Sequence, residues 1–346
     1  MLAAKMYGAE DVRLEEIPVP EIGAQEILLK VRAAAICGTD VRMFVNGANG
    51  IDGQHPRILG HEVAGVIEKA GAGVSGYQAG QRVAVAPNMG CGICDSCVRG
   101  DGHLCPEYKA LGISLDGGFA EYCVIPEAAV RCGNVAVLDD AVSFEEAAVN
   151  EPLSCVCNGF ERADIRPGDS VLVFGAGPIG MMHAALARMA GAGRVFVSDV
   201  LAPRLEAVKA LYPDVVTLQD HVGEEIARQT GGRGCDVVIT ACPVPAVQVQ
   251  ALELAAVNGR VIFFGGVPAG REPVPLDTNL IHYKQLIVSG TTRASLAQDR
   301  KTLGYITAGV LDVRPLITAR LPLAEILRGL EMARKGEGLK TVVTMP

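Results

Sequence analysis

The pattern of apolar and polar positions divides the chain near residue 155. Before about residue 130 the apolar runs are short, rich in β-branched residues and separated by Gly, Pro and Asp; they occupy residues 26–33, 61–68, 81–86 and 121–125. Runs of this length, with turn-forming residues between them, are typical of strands. The first part of the chain is therefore predicted to be a β-rich, barrel-like domain.

A different pattern begins after residue 155. Strand-like runs alternate there with segments of helical periodicity, and the runs lie at residues 171–174, 194–198, 235–240, 260–264 and 286–289. This alternation predicts βαβ units and a doubly wound parallel sheet, so the fold class is α/β with a second, β-rich domain. The last part adds helix-like stretches at 295–307 and 323–335 and a strand at 341–344.

Composition and charge narrow the class of protein. A length of 346 residues favours two domains, and 49% hydrophobic with 20% charged residues indicates a soluble α/β enzyme. A formal net charge of −8 without a basic block argues against a nucleic-acid surface. The first ten residues lack the apolar core of a secretory signal, and glycines interrupt the most apolar stretch, residues 170–187. We therefore expect a cytoplasmic protein without a membrane span.

Four cysteines form the most specific local motif of the chain. Cys91, Cys94, Cys97 and Cys105 have the spacing C-x2-C-x2-C-x7-C. Disulfides and an iron–sulfur cluster are alternatives, and the spacing does not exclude the cluster. Clustered cysteines in a reducing cytoplasm more often bind metal, so we predict a closed structural Zn²⁺ lobe over about residues 88–108.

A glycine-rich motif follows the first strand of the second domain. Gly175-x-Gly177-x-x-Gly180 opens a predicted helix with Pro178 in its first turn, and Asp199 ends the next strand, 19 residues after Gly180. Such glycines let the backbone approach a pyrophosphate at the helix N-terminus, and the acidic residue would accept from the ribose hydroxyls. The motif predicts a dinucleotide site, and the charge of Asp199 favours NAD over NADP.

A second metal site is suggested by Cys37, His61 and Glu62 but not established by their spacing. The 24 residues between Cys37 and His61 are too many for a local chelate. A buried cysteine and a core histidine without metal are the commoner outcome for such residues, and both interpretations stay open on the residues alone.

Five motifs occur in the order and at the approximate spacings of the zinc-dependent medium-chain dehydrogenases, which the chain resembles over essentially its whole length. They are Cys37-Gly-Thr-Asp40, Gly60-His61-Glu62, the four-cysteine lobe, Glu151-Pro152 and the glycine-rich motif. The resemblance implies a GroES-like catalytic domain at residues 1–154 and an inserted Rossmann NAD-binding domain at 155–292. Residues 293–346 would complete the catalytic domain.

The resemblance also implies the ligands of a catalytic zinc. Where alcohol dehydrogenases have a second catalytic cysteine, this chain has Asn150-Glu151-Pro152, which is similar to the sorbitol, threonine and galactitol-phosphate dehydrogenase branch. The implied ligands are Cys37, His61, Glu62 and Glu151, the last directly or through water. With the lobe, this makes two zinc ions per chain.

The reaction implied by the resemblance is hydride transfer between a secondary alcohol and NAD. Zinc would lower the pKa of the substrate hydroxyl, and Thr39 would begin the relay of its proton. Related enzymes often have a histidine where this chain has Arg42. The group that passes the proton from Thr39 to solvent is therefore not identified, and Arg42 could instead bind an anionic group. Cys155 and Cys157 are interpreted as core-facing thiols.

Further cofactor contacts are implied by the resemblance at Ile179, at Arg204, and at the turns Phe264-Gly265-Gly266 and Thr291-Thr292-Arg293. Arg204 could equally be a solvated helix residue, and Arg293 could face substrate. The expected substrate is a polyol, a sugar alcohol or its phosphate. An amino alcohol such as threonine is the alternative, and a non-catalytic zinc-stapled nucleotide-binding protein is a more distant one. A homodimer or homotetramer is expected.

Overall fold

The computed structural model, which describes residues 1–346, separates into two units. Unit 1 comprises residues 1–154 and 293–346, and unit 2 comprises residues 155–292. No helix combines the length and the apolar composition that crossing a membrane requires.

Unit 1 is built mainly from short strands. Its first part contains β1 (Leu2–Gly8), β2 (Asp11–Glu16), β3 (Ile27–Ala35), β4 (Arg57–Ile58), β5 (Glu62–Ala70), β6 (Arg82–Val85), β7 (Asn88–Met89), β8 (Lys109–Ala110), β9 (Tyr122–Ile125) and β10 (Val135–Val137). The helices of this part are α1 (Gly38–Asn46), α2 (Asp95–Val98), α3 (Glu127–Cys132) and α4 (Phe144–Ala163), whose last residues belong to unit 2.

Unit 2 alternates strands and helices. The strands are β11 (Ser170–Phe174), β12 (Arg194–Ser198), β13 (Val216–Leu218), β14 (Cys235–Thr240), β15 (Ala255–Phe263) and β16 (Ile287–Gly290). The helices are α5 (Pro178–Met189), α6 (Ala202–Leu211), α7 (Val222–Thr230), α8 (Pro245–Leu254) and α9 (Thr278–Tyr283). All strand pairs are parallel, in the order β13-β12-β11-β14-β15-β16. This is the Rossmann order, so the predicted α/β class is confirmed.

The C-terminal segment returns to unit 1. It contains α10 (Leu296–Thr307), β17 (Ile317–Pro322), α11 (Ile326–Lys335) and β18 (Lys340–Thr344). Strand β18 pairs antiparallel with β3, in a sheet of order β10-β6-β5-β3-β18-β17 to which β9 adds at β3. Smaller sheets β2-β1-β4 and β7-β8 complete the unit.

Each unit has its own core, and both cores are mainly aliphatic because aromatic residues make up only 4% of the chain. Phe119 in unit 1 and Phe196 in unit 2 are among the largest fully buried side chains. Burying one such ring stabilises the fold by roughly 1.5–3 kcal/mol.

Candidate metal and nucleotide sites

The metal candidates of unit 1 meet where three neighbouring strands begin or end. Strand β3 ends at Ala35, two residues before Cys37, and Ala35 pairs with Glu62, the first residue of β5. On its other side Ala35 pairs with Val342 of β18. The antiparallel register therefore brings the end of β3 and the starts of β5 and β18 to the same edge of the sheet.

Cys37, His61 and Glu62 form one cluster at this edge. Each offers one ligand atom, and these atoms lie within 4.8 Å of one another. Glu62 is fully buried and His61 is 5% exposed. Both carboxylate oxygens of Glu62 face the ammonium group of Lys340, Oε1 at 2.7 Å and Oε2 at 2.5 Å, so one cation already lies beside this buried carboxylate. Thiolate, imidazole and carboxylate are the donors zinc prefers, so the cluster fits a zinc ion.

Asp40 supports two of these residues from the first turn of α1. Its Oδ2 accepts a hydrogen bond of 2.8 Å from the backbone N–H of Cys37, and its Oδ1 accepts one of 3.3 Å from Gly60 N–H. The same Oδ1 lies 3.4 Å from Nδ1 of His61. Burial alone would lower the pKa of His61, but the charges of Asp40 and Cys37 raise it well above 6.5. The charge of Asp40 thus faces Nδ1, which leaves Nε2 as the ring nitrogen for a metal.

Lys340 brings a buried positive charge to the cluster. Its Nζ donates to Oε1 of Glu62 at 2.7 Å and to the carbonyl oxygen of Ile36 at 2.9 Å. Burial lowers the pKa of Lys340, but the charges of Glu62, Cys37 and Glu151 outweigh this effect and raise the pKa above 10.5. Lys340 therefore stays charged beside the metal candidates.

Glu151 lies in α4 and is 8% exposed. It is not one of the three residues within 4.8 Å of one another, but its charge acts on Lys340. Pro152 follows inside the helix and has no N–H, and the Ser154 hydroxyl donates to the carbonyl oxygen of Glu151 at 2.6 Å. The residue is thus close enough to influence the cluster electrostatically, while direct ligation stays a prediction.

Thr39 and Arg42 lie together on α1. Nη2 of Arg42 donates to the Thr39 hydroxyl at 3.1 Å, and Arg42 is exposed. A guanidinium stays protonated at any physiological pH, so Arg42 cannot accept a proton from Thr39. Arg42 instead orients the hydroxyl and places a positive charge beside it.

The four-cysteine lobe has the dimensions of a single tetrahedral metal site. All four sulfur atoms lie within 4.8 Å of one another, and every cysteine is free. The Sγ atoms of Cys94 and Cys105 are 3.7 Å apart, far beyond a disulfide length. With Zn–S bonds of about 2.3 Å, a regular tetrahedron has an edge of about 3.8 Å. The lobe therefore fits zinc, and the disulfide alternative is wrong.

Backbone amides support the thiolates of the lobe. The N–H groups of Cys91 and Glu107 each donate to Cys105 Sγ at 3.3 Å, and Cys94 N–H donates to Cys91 Sγ at 3.4 Å. Amides of Ile93 and Cys94 lower the pKa of Cys91 to about 7, which favours a thiolate there, whereas burial raises the pKa of Cys97 to about 12 in the metal-free lobe.

Arg293 also lies against this lobe. Its guanidinium stacks 3.8 Å from the Tyr108 ring centroid and donates to the His103 carbonyl oxygen at 2.9 Å. Both contacts of Arg293 lie within unit 1. A contact between Arg293 and the cofactor stays a prediction.

The glycine-rich motif of unit 2 links β11 to α5. Gly175 has φ +103°, and Gly177 precedes the helix, which begins at Pro178. A Cβ on Gly180 would lie only 1.7 Å from the carbonyl oxygen of Gly175, so no larger residue fits without moving the backbone. The turn leaves the N-terminus of α5 free to bind a phosphate.

Asp199 follows β12 and is bound to the same turn. Its Oδ2 accepts a hydrogen bond of 2.8 Å from Ala176 N–H, and its Oδ1 accepts one of 2.9 Å from Leu201 N–H. Nη1 of Arg204 lies 3.6 Å from Asp199 Oδ2. The structure thus brings Asp199 and Arg204 together beside the glycine turn.

The remaining predicted cofactor residues lie at the carboxyl ends of unit 2 strands. Gly265 N–H bonds to the Thr240 carbonyl oxygen, and Thr291 N–H bonds to that of Phe263. The hydroxyl oxygens of Thr240 and Thr291 are buried without a partner. Ligands of open α/β sheets bind at this edge, so the two hydroxyls are available to a nucleotide. Ile179 lies in the first turn of α5, and Phe264, Gly266 and Thr292 lie in the turns after β15 and β16.

Comparison with known proteins agrees with this geometry. Residues 23–133 match the alcohol dehydrogenase GroES-like domain, and residues 178–305 match the zinc-binding dehydrogenase family. Sorbitol dehydrogenase of Bacillus subtilis is 33% identical over 99% of this chain and 97% of its own length. L-threonine 3-dehydrogenase of Bacillus velezensis is 34% identical over 98% and 97%. An alcohol dehydrogenase of Escherichia coli CFT073, solved with NADH, has 27% identity and a TM-score of 0.90 over 100% and 99% of the two chains.

The chain therefore belongs to the zinc-dependent medium-chain dehydrogenases, and it is an oxidoreductase. Sequence reasoning did not assign roles to Asp40 and Lys340, which the structure places beside Cys37, His61 and Glu62. Asp40 could have been found from its position in the Cys37 motif. Lys340 carries no local signal, because only strand pairing brings it to residue 62.

Proposed function

We propose that the protein oxidises a secondary alcohol of a polyol or sugar alcohol with NAD, and reduces the corresponding ketone in reverse. The observation that carries the proposal is the cluster of Cys37, His61 and Glu62, whose ligand atoms lie within 4.8 Å of one another and in which His61 and Glu62 are buried. A sheet core that only needed packing would not bury such donors together.

In this proposal Cys37 Sγ, His61 Nε2 and the Glu62 carboxylate would hold a catalytic zinc, and Glu151 would approach it directly or through water. Cys91, Cys94, Cys97 and Cys105 hold the second zinc. When bound, the catalytic zinc lowers the pKa of the substrate hydroxyl and NAD accepts the hydride. Asp40 places its charge 3.4 Å from Nδ1 of His61, which would favour binding of the metal at Nε2.

Thr39 is proposed to take the proton of the substrate hydroxyl. One lone pair of its oxygen accepts from Arg42, which leaves the other lone pair for the substrate and the hydroxyl hydrogen for transfer to water. Arg42 cannot be the outlet, because its guanidinium has no acceptor.

NAD is proposed to bind with its pyrophosphate at the N-terminus of α5 and its adenosine ribose at Asp199. Both carboxylate oxygens of Asp199 are held by backbone N–H groups, so the ribose would meet a fixed acceptor. Thr240 and Thr291 would offer their hydroxyl groups to the cofactor.

The substrate class is tested with purified enzyme and NAD, by following NADH absorbance with sorbitol and other polyols, their phosphates, and threonine. The highest kcat/KM is expected on a polyol or a polyol phosphate. An advantage for phosphates that disappears in Arg42→Met would assign the exposed Arg42 to the phosphate. Turnover of threonine alone would replace the proposal by amino-alcohol oxidation, and no turnover of any alcohol would contradict it.

Thr39 provides a sharper test of the mechanism. Thr39→Val keeps the shape of the side chain and removes the hydroxyl, so kcat should fall about 100-fold or more, as is usual for loss of a proton-transfer group. Zinc content should stay at two per chain, and Thr39→Ser should restore most of the rate. Full activity of Thr39→Val would exclude the proposed relay.

A further inference from the structure

Lys340 is a buried cation whose side chain ends beside a predicted metal ligand. The side chain of Lys340 is 5% exposed and that of Glu62 is 0% exposed. Nζ lies 2.7 Å from Oε1, to which it donates a hydrogen bond, and 2.5 Å from Oε2, so that the ammonium group contacts both carboxylate oxygens. A third contact, to the Ile36 carbonyl oxygen at 2.9 Å, anchors Nζ to the end of β3.

The surroundings of this pair are strongly negative. Asp40 lies 3.4 Å from Nδ1 of His61, and the charge of Glu151 acts on Lys340. Breaking a buried ion pair by removing one partner is far more costly than losing a surface pair, because the remaining charge stays unpaired in a dry site. Lys340 is therefore the group that makes burial of the Glu62 carboxylate possible when no metal is bound.

We propose that Lys340 is a positioning residue of the catalytic metal centre: it holds the carboxylate of Glu62 beside Cys37 and His61 and balances its charge. This inference rests on the proposed zinc site. When a metal is bound, the Glu62 carboxylate would be shared between Lys340 and the metal.

A positioning role of Lys340 and a packing role predict different effects on stability. Without the ammonium group, Glu62 is left with the metal as its only cation, and the metal no longer meets a neighbouring positive charge. Removing the charge of Lys340 should therefore weaken the metal-free protein more than the metal-loaded protein. A lysine that only fills space would affect both forms equally.

The test compares Lys340→Met and Lys340→Arg with the native protein. Each is treated with chelator until one zinc per chain remains in the lobe, and melting temperatures are measured before and after adding Co²⁺. The gain in melting temperature on binding Co²⁺ should be about 5 °C or more larger in Lys340→Met than in the native chain. Lys340→Arg should behave like the native chain. The ligand-field absorption bands of Co²⁺ should shift in Lys340→Met and return in Lys340→Arg.

Lys284 in unit 2 offers a matched control. Its Nζ donates to three backbone carbonyl oxygens, those of Leu252, Glu253 and Ala255, and has no role at the metal centre. Lys284→Met should lower the melting temperature equally with and without Co²⁺. Lys340→Gln, which loses the charge and keeps a hydrogen-bond donor, should show the same enlarged gain and replaces Lys340→Met if that variant does not fold.

The outcomes are separable. Equal Co²⁺-induced gains in native and Lys340→Met proteins, with unchanged cobalt bands, would overturn the inference and leave Lys340 a structural residue. Uptake of Co²⁺ by the native chain would in that case still support the proposed function. A native chain that binds no metal beyond the lobe would overturn both.

Discussion

The nucleotide site and the catalytic metal centre bind their ligands by opposite means. The nucleotide site uses mainly one nearly continuous stretch, residues 170–199, with its backbone N–H groups and a turn that only glycine permits, and adds the hydroxyl groups of Thr240 and Thr291. The metal centre combines Cys37, His61, Glu62 and Lys340, which strand pairing brings together from both ends of the chain. One site is local and made largely of backbone, whereas the other is non-local and made of charged side chains.

This difference determines how each site should respond to change. Backbone donors are present whatever the surrounding side chains are, so a single substitution removes only part of the nucleotide site. The buried charges of the metal centre depend on one another, because each unpaired charge in a dry site costs several kcal/mol. Substitutions at the metal centre should therefore have larger effects that are less additive.

The largest effect is expected for His61→Ala. Loss of the imidazole should leave one metal per chain, in the lobe, and lower kcat by at least about 1,000-fold, since a Lewis acid contributes several kcal/mol at about 1.4 kcal/mol per decade. NADH binding, measured by fluorescence titration, should change less than about twofold if the sites act separately. Cys97→Ser is the complementary variant, because it should lose the lobe zinc and lower thermal stability while the catalytic metal stays. Two metals retained in His61→Ala would contradict the assignment.

Asp199→Ser should produce the next largest change, in the choice of cofactor. A carboxylate repels the 2′-phosphate of NADP, and close like charges across a site can cost several kcal/mol, so the NAD/NADP ratio of kcat/KM should shift by roughly 100-fold toward NADP. Arg204, 3.6 Å from this carboxylate, would then be free to pair with the phosphate.

The double variant Asp199→Ser, Arg204→Ala is the control for that explanation. It should lose the gain for NADP while zinc content stays unchanged. An unchanged cofactor ratio in Asp199→Ser would place the ribose elsewhere.

Asp40→Asn should weaken the metal centre without removing a proposed ligand. The amide can keep one hydrogen bond from Cys37 or Gly60 N–H, but it loses the charge that faces His61 at 3.4 Å. Outer residues of this kind typically change metal affinity by about 10–100-fold. Competition with a chromophoric chelator measures the change, and Asp11→Asn, at an exposed ion pair with Arg13, serves as control. Equal metal affinity of Asp40→Asn and the native protein would mean that Asp40 only stabilises the N-terminus of α1.

The same contrast explains what could be predicted from the sequence. The residues of the Gly175 turn and the lobe cysteines each lie within about thirty residues of one another in sequence. Their spacing alone therefore predicts phosphate binding at the turn and metal binding at the lobe. Cys37 and His61 needed the family resemblance, because their proximity depends on the pairing of β3 with β5. Lys340 could not be predicted, since it is brought to Glu62 by a strand 278 residues away in sequence. Substrate specificity is similarly absent from local motifs.

The smallest effect concerns two buried titratable groups, one in each unit. His183 in α5 has no partner for either ring nitrogen, and burial lowers its pKa to about 3. Burial raises the pKa of Asp299 in α10 to about 6, despite the charge of Arg300 and a hydrogen bond from Asn150. His183 should therefore destabilise the fold as pH falls below 6.5, where the unfolded chain takes up a proton that the folded chain does not. Asp299 should act in the opposite direction, lowering stability as pH rises from about 4 to 6.

Urea unfolding of His183→Leu and Asp299→Asn at about pH 5 and pH 8 separates the two contributions. At about pH 5 the native histidine should cost about 2 kcal/mol, given about 1.4 kcal/mol per pH unit, and His183→Leu should not show this loss. Stability of His183→Leu should then fall as pH rises through the range in which Asp299 ionises, and Asp299→Asn should remove that fall. A native-like pH dependence in His183→Leu would mean that the imidazole is protonated within the fold, which requires a partner that α5 and the neighbouring Phe264 ring do not provide. In that case the nucleotide unit would also depend on a buried charge, and the contrast between the two units would be weaker.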